Sequence, residues 1–186
     1  MITQSALKVF FILCGIVGGW ASALYAIGTF GSSPAAATGQ WRSWDVGAGS
    51  SSNIYAVAHF LLAGEVPPAP SHFHFYSSTR DDEGNLLRSE CVYQITANKL
   101  QARWWSLSVE PSDLADARSS SVITSEQVVQ APSGNFAVAV SRHPTPGNWV
   151  RTAHDGNVEL RFLVTNDNGS QAGPAFALPA IQRLEC

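Results

Sequence analysis

The feature that most constrains this chain is a gap in its charge. Lys8 is the only charged side chain before Arg42, so residues 9–41 carry none. Inside that gap Val9 to Ile27 is almost wholly apolar, VFFILCGIVGGWASALYAI. At 1.5 Å per residue, roughly 20 helical residues reach about 30 Å, the thickness of a bilayer's hydrocarbon core. Residues 1–30 therefore read as a cytoplasmic N-terminus followed by a transmembrane helix in contact with membrane lipid. The alternative is a signal peptide cleaved after Ala23 or Ala36, whose apolar region is usually shorter. Cys14 does not mark a lipoprotein, because Leu13 before it is too large for a lipobox.

Lys8 precedes the span, and the next positive charge lies well beyond it. The positive-inside bias places everything after about residue 30 outside the cytoplasm. Gly15, Gly19 and Ala23 recur every four residues on one helix face, a spacing that permits close helix packing in lipid. Residues 31–40, GSSPAAATGQ, read as a linker. Residues 41–186 remain for a single domain. Trp41 and Trp44 at its start would sit at the lipid interface or, given the linker, cap the domain core.

Composition narrows what that domain does. Hydrophobic residues make up 45% of 186, enough for one real core. Charged residues make up only 13%, which excludes disorder driven by excess charge. A net charge of -3 argues against a nucleic-acid partner held by general electrostatics.

One helix is predicted first. Ser51, Ser52 and Asn53 offer N-caps, IYAVAHFLLA follows, Gly64 supplies a stop, and Pro67, Pro68 and Pro70 prevent continuation. Its face Ile54, Val57, Ala58, Leu61 and Leu62 is expected to pack on a sheet, with His59 satisfied or facing solvent. The period then changes to two. Phe73 and Phe75 share a face. So do Cys91, Tyr93 and Ile95; Trp105, Leu107 and Val109; Phe136, Val138 and Val140; and Val158, Leu160, Phe162 and Val164. Turns at 81–85, 132–134 and 155–157 separate these runs. Short alternating runs between such turns mean antiparallel sheet, arranged as a sandwich or barrel.

The order of segments resembles a known family. GQWRSW, the helix, HFHFYSSTRDDEGNLL, a Cys-x-Tyr strand, ARWWSLSV, GNFAVAVS, PGNWVRTAHDGNVELRFLV and a closing LPAIQRL look like the bacterial domain of unknown function 1214 family, in a short form with an N-terminal membrane helix. The resemblance covers roughly residues 40–186. Its most specific pieces are Ala102 to Leu107 and Pro146 to Trp149. Family members usually continue the first piece into a Tyr-Asp pair and a Gly turn; here Val109 is followed by Glu110, Pro111, Ser112 and Asp113. The resemblance implies a mainly β, jelly-roll-like antiparallel sandwich with one short packing helix, and a bacterial envelope location. It implies no established activity.

Outside the cytoplasm two thiols commonly pair. Cys14 lies in the span, which leaves Cys91 and Cys186, expected to form a disulfide that ties the C-terminus to the sheet; the alternative is two free thiols. Catalytic signatures are absent: there is no GxSxG, HExxH or GxxxxGK[ST]. Ser119, Ser120 and Ser121 read as loop. His72 and His74 alternate opposite Phe73 and Phe75, so both would lie on one wet face. A metal would need a third ligand from His143, His154 or a carboxylate, and no metal or cofactor is expected. Glu159 and Arg161 read as a solvated or cross-strand ion pair. Trp104 shares the polar side of its strand with Ser106 and Ser108, where it would stack on a ligand or, as favoured, be buried under the helix at 53–63. Trp149 is a second exposed aromatic candidate.

The reading that results is a single-pass inner-membrane protein with its domain in the periplasm, binding an envelope protein or glycan, with Trp104, His72 and His74 as candidate ligand contacts. Two alternatives are an accessory subunit that pairs through Gly15, Gly19 and Ala23, and a hydrolase or lyase that uses His72 and His74.

Overall fold

A computed structural model describes residues 4–44, 53–62, 64, 72–112, 120–152, 155–165 and 176–186. Ser51, Ser52, Pro67, Pro68, Pro70, Asp113, Ser119 and His154 lie outside the described residues. The first element is helix α1, Gln4–Gly31, long and apolar enough to cross a membrane, a test that a signal sequence also passes. Its 28 residues span about 42 Å.

The rest is mainly β. In chain order the strands are β1 (Ala36–Thr38), β2 (Trp41–Ser43), β3 (Phe73–Ser78), β4 (Val92–Ala97), β5 (Trp105–Pro111), β6 (Ser121–Thr124), β7 (Phe136–Ser141), β8 (Trp149–Arg151), β9 (Val158–Thr165) and β10 (Ala180–Glu185). Helix α2, Ile54–Leu62, falls between β2 and β3. Among the described residues the strands form two sheets, ordered β1-β2-β3-β9-β5-β6 and β10-β4-β7-β8. They stack as a sandwich.

Alternation places the core between them. From the large sheet Trp105, Leu107, Val109, Leu160, Phe162 and Val164 point inward; from the small sheet Tyr93, Ile95, Val138, Val140 and Ile181 meet them. Trp105 stacks on Phe136 across the layers at 4.5 Å and 13°. Trp41 is buried and its indole N–H donates to the Pro179 carbonyl at 2.6 Å, so it caps the core. Trp44 packs edge-on against Phe60 of α2.

Cys91 and Cys186 are bonded, with Cα atoms 4.0 Å apart. The link joins the end of β10 to the start of β4. Nearby, the turn at 81–85 is built on Asp81, whose Oδ1 accepts from the backbone N–H of Glu83 at 3.1 Å and of Asn85 at 2.8 Å. Arg183 reaches Asp81 at 2.8 Å, and Ile181 donates its N–H to Asp82 at 2.8 Å. The conspicuous acidic turn thus clamps β10 in place.

Four expectations change. The linker reading of 31–40 does not hold at 36–38, where β1 pairs with β2, nor at Gly31, which is buried. Ser121 opens β6 rather than a loop. One strand pair is parallel, with Ala139 beside Trp149. Parallel pairing usually needs a crossover of a dozen residues or more. Here β8 is only three residues long, so the loop at 142–148 returns a short distance.

The fourth change concerns α2. Asn53 does cap it, accepting from the N–H of Tyr55 at 3.0 Å, and Gly64 closes it with φ +75°. The buried residues, however, are Ala56 and Phe60. Of the face expected on the sheet, Ile54 is 71%, Leu61 59% and Leu62 65% exposed. Phe60 reaches Trp44 and Phe75 because its ring is the one long enough to fill the gap above β3.

Candidate functional site

The two outward faces of the sandwich carry different chemistry. On the large sheet, Phe73 and Phe75 of β3, Arg161 and Leu163 of β9, and Ser106, Ser108 and Glu110 of β5 share the outer side, by strand register. Glu110 stands opposite Glu159, a like-charge cross-strand pair that repels. Arg161 resolves it, contacting Glu110 at 2.8 Å and Glu159 at 3.2 Å. All three side chains are only 18% exposed. Glu159 and Arg161 do form an ion pair, and it is cross-strand because Glu110 joins it from β5; the resulting triad is largely buried and not solvated. Ser108 donates to Glu110 at 3.3 Å, and the Arg161 guanidinium lies 5.9 Å over the Phe75 ring.

The candidate contacts fall on different sides. His74 pairs in register with Val164 and shares its side with Tyr76, which is in the core. Phe73 and Phe75 take the outer side. The expected assignment of faces on this strand is therefore inverted. The strand is aromatic on both sides, and α2 rewards the Phe side. His72 is exposed in the turn before β3. Trp104 is half-buried and meets Phe73 edge-on at 6.4 Å; the helix reaches Phe75 instead. His74 and Trp104 thus lie on opposite sides of the large sheet. Among the described residues no group of three His, Cys, Asp or Glu is placed to hold a metal ion.

The small sheet carries a concave site of about 820 Å³. Its floor follows from strand register. Ala180, Thr96 and Ala137 form one row across β10, β4 and β7, and Gln94 and Ala139 form the next, with Trp149 of β8 beside Ala139. Small side chains in the middle of the floor leave a trough. Asn135, Asn148 and Leu178 belong to its walls.

Asn148, from the Pro-Gly-Asn-Trp segment, holds this wall together. Its carboxamide donates to the carbonyls of Val129 at 2.8 Å and Ala137 at 2.9 Å, and accepts from the N–H of Val129 at 2.8 Å. Gly147 precedes it with φ +91°, a conformation that other residues rarely adopt. Trp149 is half-buried, and its indole N–H donates to the Ser141 hydroxyl at 3.0 Å. The groove lining contains carboxamides, one hydroxyl and apolar groups, and among the described residues no titratable side chain.

Sequence reasoning passed over this groove because alanine and glutamine on a strand carry no motif. The signal available was alternation: once Tyr93, Ile95, Val138 and Val140 are inside, Gln94, Thr96, Ala137 and Ala139 must line the other side.

Comparison with known sequences is decisive at this point. The model of a protein family of unknown function, DUF1214, matches residues 73–166, just over half of the 186 residues. The chain belongs to the DUF1214 family. The matched region runs from β3 through β9 and includes both the triad and the Asn148 wall. No curated protein matches the chain. A crystal structure of a Vibrio parahaemolyticus protein is similar over 100% of this chain and 47% of its own, with 12% identity and a TM-score of 0.60. An uncharacterised protein from Burkholderia cenocepacia is similar over 63% of this chain and 30% of its own, at 20% identity and a TM-score of 0.46. The chain thus spans less than half the length of these two structures, and the Vibrio parahaemolyticus protein shares its fold.

Proposed function

We propose that this DUF1214 chain is a membrane-anchored binding module of the bacterial envelope. In this reading α1 stays in the inner membrane, the domain faces the periplasm, and the groove on the small sheet holds an extended, uncharged segment of a glycan or protein. The observation that carries it is the chemistry of the groove. Among the described residues a lining of carboxamides, alanines and the Thr96 hydroxyl offers hydrogen bonds and shape, with no titratable side chain in it. Gln94 and Asn98 in the lining supply amide groups of the kind that hydrogen-bond sugar hydroxyls and extended backbones. The charge-free span, Lys8 before it and the disulfide support the compartment, since disulfides persist in oxidising surroundings.

The test uses the full chain in nanodiscs, titrated with soluble uncharged glycan strands and with uncharged extended peptides, read by Trp fluorescence. Saturable binding to one class is expected, weakened about tenfold or more by Ala139→Arg, a loss of about 1.4 kcal/mol. Binding that is unchanged in Ala139→Arg would remove the groove from the reading. Stoichiometric metal and a turnover, both lost in a His72→Ala, His74→Ala double variant, would establish the enzyme alternative instead.

A further inference from the structure

Helix α2 presents an apolar face that stays exposed among the described residues. At about 100° per residue its positions divide into three sectors. Ala56 and Phe60 point to the sheet. Tyr55 and His59 point to α1: a side chain at Gly31 would stand 2.3 Å from the Tyr55 carbonyl and 2.7 Å from the His59 Cβ. Ile54 and Leu61 occupy the remaining sector and Leu62 lies between it and the Tyr55 sector, all three more than half exposed. The seam with α1 is a fixed one. Phe30 and Tyr55 rings lie 5.7 Å apart, and Asn53 donates its side-chain N–H to the Phe30 carbonyl at 3.2 Å.

The place of that seam identifies what covers the face. The apolar run of the span ends at Ile27, and Gly31 follows one turn later, about 6 Å along the helix. The headgroup region of a leaflet is about 5–8 Å deep, so α2 is docked at headgroup level. The β domain lies on the Phe60 side, so Ile54 and Leu61 are turned away from it at the level of the span's exit. Residues 54–62 contain no Lys, Arg, Asp or Glu, so nothing charged is forced into lipid. The aromatic pair Phe30 and Tyr55 at the same level matches the enrichment of aromatic rings at membrane interfaces.

We propose that α2 is an interfacial helix that lays Ile54, Leu61 and Leu62 into the leaflet on the domain's side, next to the exit of α1. The proposal rests on the anchored reading above and adds an orientation to it. With two contacts on the membrane, the span and α2, the domain is held at a fixed tilt instead of swinging on a tether. Because the helix carries no charge, its insertion depends on apolar burial and is indifferent to anionic lipid.

The experiment places an environment-sensitive fluorophore at single cysteines in the full chain, in a Cys14→Ala background with the disulfide kept oxidised. The chain is reconstituted in phosphatidylcholine vesicles that contain spin-labelled lipid, with the quencher either shallow or deep in the acyl chain. Labels at Leu61→Cys and Leu62→Cys should lose emission to the shallow quencher, equally with and without phosphatidylglycerol. A label at Val122→Cys, exposed on β6, should not. A label at Val17→Cys, within the span, should be quenched by the deep lipid. If Val17 is quenched and positions 61 and 62 are not, the interfacial helix is wrong and the anchor stands. If Val17 is unquenched, the anchored reading itself fails. Emission at 61 and 62 that is blue-shifted but unquenched, and that changes with protein density, would assign the face to a second copy and overturn the proposal.

Discussion

The two sheets are held by different means, and their outer faces differ accordingly. The small sheet is fastened at one end by Cys91–Cys186 and at the other by Asn148, and its outer side is left clear as a trough. The large sheet is fastened across its outer side, where Arg161 bridges Glu110 and Glu159 and Phe60 covers Phe75. A side chain that staples a face also occupies it. The comparison teaches that the face free for a ligand is the one whose fastening lies at its edges.

The largest expected effect comes from the covalent fastening. Cys186→Ser opens a loop of 95 residues, and chain entropy alone assigns about 4–5 kcal/mol to its closure. Urea titration should show that loss, and protection from hydrogen exchange should fall first in β10 and β4. Equal loss across both sheets would mean that they are not fastened separately.

Breaking the large-sheet staple should come next. Arg161→Leu leaves two carboxylates facing each other in a site that is 18% exposed. Removal of one partner from a buried ionic cluster costs about 3–5 kcal/mol, and the residual exposure puts this case at the lower end, about 3 kcal/mol. The melting temperature should drop by about 6–12 °C. Replacing Glu110 and Glu159 with Gln in the same chain should recover part of it. No recovery would show that Arg161 acts through its packing on Phe75 alone.

A smaller effect separates the faces by pH. Burial pushes the Tyr76 hydroxyl up to about 12, and burial also raises Tyr93. The folded state therefore holds these protons more tightly than the unfolded chain. Their stabilising contribution is complete below about pH 10 and is lost as pH rises toward about 12. Tyr76→Phe should flatten that alkaline fall in thermal stability; a fall that stays as steep would mean that Tyr76 does not carry it.

The smallest effect belongs to the clear face. Ala137→Ser, exposed on the trough floor, should change stability by no more than about 0.5 kcal/mol. A larger loss would mean that the trough is packed from within, and would remove the contrast between the two faces.

The sequence by itself determined the long apolar helix, the inner faces of β4, β5, β7 and β9, the turns at 81–85, 132–134 and 155–157, and the pairing of Cys91 with Cys186. Each rests on a local signal: a missing charge, a period of two, a glycine at a turn, a count of thiols outside the apolar helix. Tertiary structure decided the rest. A period of two says that Phe73 and Phe75 share one side and His74 and Tyr76 the other, but both sides are aromatic, so only the neighbours choose which is the core. Likewise Ile54, Leu61 and Leu62 outweigh Ala56 and Phe60 on α2, yet the sheet takes the pair whose ring fits above Phe75. Glu110 meets Arg161 and Glu159 only because β5 pairs with β9 in one register, 50 residues apart in the chain. Burial is settled by the partner across the gap, and the sequence of one strand or helix does not contain its partner.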